Sequence, residues 1–199
     1  IPTRADNTPD QCIPLDAYYN AALDDNFHLG GLKGNDLASF PKGTVDLAGV
    51  TFDVRGLIHL NGQQIQAVSS IDYPKKVSNI IIGRKADRLH FLHGAGWPSD
   101  EGQIVAKWTI YYDDGTENVI RVHYGEDVAD WWTDPDAPAL GGSKAAWEGE
   151  NEATKEAAMQ LRIFKKVWNN PHPEKVIKAI DYASSMKDSS PFMLAITAD

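Results

Sequence analysis

Residues 104–124, IVAKWTIYYDDGTENVIRVHY, constrain this chain more than any other stretch. Ile104, Ala106, Trp108, Ile110 and Tyr112 occupy alternate positions, as do Ile120, Val122 and Tyr124 beyond an Asp-Asp-Gly turn. Successive side chains of a strand point to opposite faces, so period two on both sides of a glycine turn specifies a β-hairpin with one buried face. The same pattern sets the loop length. A two-residue Asp114-Gly115 loop pairs Ile110 with Val119 and Trp108 with Arg121, placing a charge among the buried side chains. A three-residue loop, Asp113-Asp114-Gly115 with the glycine left-handed, pairs Trp108 with Ile120 and Ala106 with Val122. A one-residue slip exchanges the two faces of a strand, so the second register is expected, and with it an antiparallel core.

The flanking sequence continues in short strands. Residues 1–11 are polar with two prolines and read as a tether. Residues 12–22 read as an edge or leading strand in which Pro14 limits pairing. Residues 24–41 are loop-like, with Gly30, Gly31, Gly34 and the pair Asn35-Asp36. Residues 45–47 and 50–60 alternate again, Val50, Phe52 and Val54 on one face and Thr51, Asp53 and Arg55 on the other, before a turn at Asn61-Gly62. Residues 80–82 and 88–93 are short strands, and Gly94-Ala95-Gly96-Trp97-Pro98 breaks the chain ahead of the hairpin. An acidic-aromatic segment follows at 126–132, then a Pro/Gly loop to Gly142 and a brief strand at 145–148. Residues 152–158, EATKEAA, have the one helix-forming composition. Residues 159–168, 176–183 and 192–197 are three further strands. Many short strands and one short helix predict an all-β antiparallel β-sandwich, a single domain over residues 12–199. Its long loops, 30–41 and 127–142, are where function is expected.

Composition narrows the function classes. The formal charge is −9, from 19 basic and 28 acidic residues, and no basic stripe is present, which argues against nucleic acid. No apolar run approaches the ~20 residues of a membrane helix, so no membrane insertion is expected. The start, IPTRADNTPDQ, has neither the charged nor the apolar region of a leader, so the protein is either cytosolic or already processed. The single cysteine, Cys12, excludes an intramolecular disulfide and reads as a buried apolar residue. Six Trp and seven Tyr are many for 199 residues and suit either a β core or a sugar-stacking surface.

Several constellations carry possible chemistry. His90 and His93, three apart on a strand, point to opposite faces and do not chelate one ion. Trp131 and Trp132 sit among Asp127, Asp130 and Asp134; two adjacent indoles cannot both bury on one strand face, so at least one is expected near the surface. With Trp97 in its glycine-rich loop they form candidate platforms for the C–H face of a sugar ring, the alternative being plugs for the open ends of the sandwich. Trp147, Trp168, Asn169, Asn170 and His172 form a similar mixture, with Trp168 expected in the core. Glycoside cleavage needs two facing acids; Asp130, Glu148 and Asp181 are candidates that sequence cannot bring together. Asp24, Asp25, Asn35 and Asp36 supply oxygen ligands for a structural Ca²⁺ between loops, or else are turn residues.

The segments AYYNAAL, GVTFDVRGLIHLNG, IIIGRKADRLHFLHGAGW, YGEDVADWW, LRIFKKVWNNPHPEKVIKAIDYAS and PFMLAIT, in this order, resemble the galactose-binding-like jelly-roll domain, in particular the carbohydrate-binding modules attached to secreted bacterial glycoside hydrolases. The likeness spans roughly residues 12–199 and carries no catalytic signature. It implies a two-sheet sandwich with a ligand site in loops at one end, often beside a calcium ion, in a secreted or cell-surface, multidomain protein.

The expectation is therefore a non-catalytic module that binds carbohydrate. Trp131 and Trp132, then Trp97, are the expected stacking residues, with Asp130, His93, Arg55 and Tyr124 as polar contacts. The alternatives are a polysaccharide-active enzyme using an acidic pair, and a protein-interaction scaffold using the same aromatics.

Overall fold

A computed structural model of the chain describes residues 1–26 and 32–199; Gly30 and Gly31 of the expected loop lie outside the described residues. The hairpin forms in the expected register. Strands β6 (Ile104–Tyr112) and β7 (Glu117–His123) pair Trp108 with Ile120 and Ala106 with Val122. Gly115 takes φ 84°, the left-handed conformation that a three-residue loop needs, and the Tyr112 N–H donates to the Thr116 carbonyl at 2.9 Å to close it.

Two antiparallel sheets pack as a sandwich around this hairpin. One has four strands, β7 and β6 followed by β11 (Ile177–Ser184) and β4 (Lys76–Arg84). The other has six. It runs β3 (Ile58–His59), β12 (Ser190–Ala198), β5 (Arg88–Gly96), β10 (Gln160–Asn169), with β8 (Trp132–Thr133) and β9 (Lys144–Gly149) both on the outer side of β10.

Between the sheets, Phe91 of β5 stacks on Trp108 of β6, which stacks in turn on Tyr182 of β11. Aromatics of this size each remove roughly 150–250 Å² from water. At about 25 cal/mol per Å² the three contribute on the order of 10 kcal/mol before the entropy of ordering them is subtracted.

The six-stranded sheet is buried on its second face as well. A ribbon of β1 (Gly43–Leu47) and β2 (Val50–Val54) lays Phe52 and Val54 against Leu92, Leu161, Ile163 and Leu194, with Leu23, Leu37 and Phe40 completing this second core. Double coverage explains why β12, SPFMLAITA, is buried along its whole length rather than alternating.

Four local expectations change. Residues 12–22 form no strand: Pro14 lacks a donor, the chain turns at Tyr18, whose N–H bonds the Leu15 carbonyl, and only bridges at Cys12 and Ala21 remain. Gly94 and Gly96 do not break the chain but lie inside β5. A Cβ on Gly94 would stand 2.5 Å from Cζ of Phe192, so this glycine admits a ring rather than a turn. A second short helix, α1 (Gln63–Val68), follows the Asn61-Gly62 turn and buries only Ile65; the expected helix is α2 (Glu152–Glu156), capped reciprocally by Asn151 and Thr154. Finally, Asp53 and Arg55 do not face solvent. Residues 1–12 cover them: Arg4 pairs with Asp53 at 2.7 Å and donates to the Cys12 carbonyl at 2.7 Å, and Arg55 donates to Thr3 and Thr8. The expected tether is thus fastened to β2.

Candidate functional site

Five of the seven expected contact residues come together at one end of the sandwich, and two do not. Arg55 is only 4% exposed, its Nε 2.7 and 2.9 Å from the two Asp53 oxygens, so its charge is spent within the fold. His93 is 1% exposed and meets Trp108 edge-on at 5.3 Å. Burial lowers its pKa to about 3 and keeps it neutral. His90 lies on the opposite face of β5 and contacts Asp199 at 3.1 Å.

Trp97, Tyr124, Asp130, Trp131 and Trp132 meet where residues 124–132 fold back across the end of β5. Ala95 bridges Asp130 in parallel, and the Trp131 N–H donates to the Ala95 carbonyl at 2.7 Å. The Asp130 N–H donates to the Tyr124 hydroxyl at 3.1 Å, and the Asp130 carboxylate accepts from the Trp132 N–H at 3.3 Å. No cation pairs with this carboxylate among the described residues. Burial pushes its pKa up to about 7, against the lowering effect of the Trp132, Trp97 and Trp131 backbone N–H groups.

The two adjacent indoles divide as strand geometry demands. Trp131 turns inward, 1% exposed and perpendicular to Phe192, and belongs to the second core, so it presents no face to a ligand. That corrects its expected stacking role. Trp132 is half-buried, and its indole N–H donates to Asn35 Oδ1 at 2.9 Å. Trp97 is also half-buried, with the left-handed backbone of φ 70° and an enclosed indole N–H that has no partner among the described residues.

The candidate calcium ligands lie on two neighbouring segments, joined where the Leu37 N–H donates to the Leu23 carbonyl at 2.7 Å. Asn35 Oδ1 already accepts from Trp132 and Asn151, Asp36 Oδ1 from the Ala38 N–H, and Asp25 Oδ2 from the Ala22 N–H, while Asp24 is exposed. Among the described residues no three His, Cys, Asp or Glu side chains gather as a metal-holding group. These oxygens serve turns and loop contacts. The acid candidates are dispersed too: Asp181 lies on β11 with Lys76, Glu148 on β9 with Arg162, and Asp130 in the folded-back segment.

An open concavity adjoins this segment. β9 accompanies β10 only as far as Lys165, so residues 166–169 keep an open side, and β7 is an edge strand of the other sheet. Between them runs an open groove of about 570 Å³, lined by Trp168, Asn169, Lys166, Arg121, His123 and Glu126. Trp168 packs one side against the inter-sheet core and remains half-exposed. At the base, buried Asp127 receives the Lys166 ammonium and the His123 N–H, the latter at 2.9 Å. Burial alone would raise the Asp127 pKa; Lys166 and His123 together hold it below the usual value.

The arrangement offers one aromatic surface flanked by charged and amide groups that can donate and accept hydrogen bonds. Lys166, Arg121 and Glu126 were not among the expected contacts. The signal for them is topological, since the groove exists only because β10 outruns β9.

No family model matches the chain, and the curated proteins contain no match to its sequence.

Proposed function

We propose that this chain is a carbohydrate-binding module, with its site in the groove between β7 and β10. The observation that supports this reading is Trp168: an indole supported from behind by the core, half-exposed, and bordered by Arg121, His123, Glu126 and Asn169. Sugars present an apolar C–H face and a rim of hydroxyls, and such a groove matches both. The sandwich is compatible with the galactose-binding-like resemblance, which also supports a secreted or cell-surface protein with further domains. Retention on glycan-containing gels tests the proposal. Trp168→Leu keeps the apolar packing and removes the ring; loss of retention with an unchanged melting curve is expected, and retention unchanged by this substitution overturns the reading.

Catalysis is the second reading, favoured by Asp130, a carboxyl that holds its proton near neutral pH. Release of new reducing ends from a polysaccharide, abolished in Asp130→Asn, is its measurable consequence. An unchanged rate in that variant removes it.

A further inference from the structure

The outer face of the four-stranded sheet carries a second concavity, of about 460 Å³, contiguous with the groove through Val119. Its layout follows from the strand register. One row across the sheet reads Lys76 on β4, Ala183 on β11, Lys107 on β6 and Arg121 on β7, each directly opposite the next. The next row sets Asp181 opposite Thr109 and Thr109 opposite Val119. The third sets Ala179 opposite Tyr111 and Tyr111 opposite Glu117. Directly opposed residues of an antiparallel pair share a face, and inward neighbours such as Trp108, Ile110 and Tyr182 put these three rows on the outside.

Two features of this face need an explanation. The first is that the small Ala183 and Thr109 lie on the two middle strands, where the face is hollow, while Lys76, Lys107 and Tyr111 stand around them. The second is charge. Lys107 and Arg121 are exposed, directly opposed like charges, an arrangement that costs stability, and neither has a carboxylate partner among the described residues. Lys76 is different: it is tied to Asp181 at 2.6 Å, and Asp181 also accepts from the Tyr111 hydroxyl and the Asn79 N–H. Lys107 and Arg121 are thus the uncompensated charges of the row on a chain of net charge −9, since Asp181 neutralises Lys76 and Glu117 stands on the same face. With strands ~4.8 Å apart the row spans roughly 14 Å, the reach of several sugar residues rather than one.

We infer that the Lys107–Arg121 pair, with Tyr111 beside it, binds the carboxylate groups of an acidic polysaccharide whose chain continues over β7 into the Trp168 groove. This inference rests on the carbohydrate reading above and names its ligand class as a uronate-bearing polymer. Ammonium and guanidinium groups at successive strand positions match carboxylates repeated along an extended chain: Lys107 lines the second concavity, Arg121 directly opposite it lines the Trp168 groove, and Val119 lines both. Nucleic acid, the other common polyanion, is the competing ligand against which the uronate assignment is tested.

Affinity electrophoresis of the 199-residue chain through gels containing polygalacturonate, a neutral galactan or single-stranded DNA distinguishes these cases. The double substitution Lys107→Gln, Arg121→Gln is expected to weaken polygalacturonate binding at least about tenfold, with a steep loss in salt in the parent chain. Because it relieves a like-charge pair, its melting temperature should equal or exceed that of the parent. Retention by neutral galactan alone, or polygalacturonate retention that the double substitution leaves intact, overturns this inference while the carbohydrate reading stands. Retention by no glycan at all overturns both, and equal retention by DNA overturns the uronate assignment.

Discussion

Phe91 and Trp108 stack across the two sheets with ring centroids 4.0 Å apart and planes 13° from parallel, and each is fully buried. Trp108 also holds Tyr182 at 5.5 Å and the edge of His93, so a single indole is shared by three partners from β5 and β11. Truncating it empties the centre of the inter-sheet core, where neighbouring strands cannot collapse because both sheets are paired throughout this region. Trp108→Ala is expected to cost about 4–5 kcal/mol, and Trp108→Phe well under half of that. Urea denaturation of both variants measures the difference; similar midpoints for the two would show that the core relaxes around the loss.

Gly94 provides the opposite test, addition rather than removal. Its missing Cβ is the space taken by Phe192, a ring that is 0% exposed and therefore has nowhere to move. Gly94→Ala should destabilise by roughly 2–3 kcal/mol through overpacking, despite alanine's better fit to a strand. Gly141, where a Cβ meets nothing within 4 Å, is the control, and Gly141→Ala should shift the denaturation midpoint by no more than about 0.5 kcal/mol.

These residues also show what a sequence of this kind discloses. The hairpin was legible down to its register because one slip of register would have buried Arg121, a choice decided by local alternation alone. The position of β12 was legible as an apolar run. What escaped were features set by a third layer. Asp53 and Arg55 alternate with Phe52 and Val54 as a solvent face should, yet residues 1–12 cover that face, and alternation cannot report a cover contributed from 50 residues away in the chain. The helix α1, QQIQAV, has one buried side chain and no side-chain cap, so it lacks the periodic stripe by which helices are recognised. At the site, adjacency showed that Trp131 and Trp132 part company but not which turns inward. The groove itself depends on where β9 ends relative to β10, which no local pattern contains.

The cover over β2 yields its own expectation. Asp53 is 4% exposed and receives both Arg4, at 2.7 Å, and Arg55. Removing its charge leaves two guanidinium groups at a buried site without their counterion, which is costlier than the pair is stabilising. Asp53→Asn should cost about 3–5 kcal/mol and should also release residues 1–12, since Arg4 then has only carbonyl oxygens to hold it. Limited proteolysis reads the second effect. An N-terminal segment as protected in the variant as in the parent would mean that the backbone bonds of Gln11 and Ile13 to β12 suffice to fasten it.

Asp130 gives the molecule a pH dependence of unusual sign. Its folded pKa is raised to about 7 from 3.8, chiefly by burial, so between these values the folded chain binds a proton that the unfolded chain has released. The contribution of Asp130 therefore falls as pH rises through this window and its cost is fully present above about pH 7, while the buried His59 and His93, whose pKa values burial lowers to about 3, act in the reverse sense between there and pH 6.5. The buried carboxylates Asp127 and Asp181 are shifted downward and act in the reverse sense, but their contributions disappear only below the ordinary carboxylate range, well separated from this window. Asp130→Asn removes the ionisation while keeping an oxygen for the Trp132 N–H. It should raise stability at pH 8 by roughly 2 kcal/mol more than at pH 5, a discounted figure for a group that keeps some access to water. Guanidinium denaturation at the two pH values checks this. An Asp130→Asn variant whose gain is the same at pH 5 as at pH 8 would show that the carboxyl ionises in the folded chain as easily as in water.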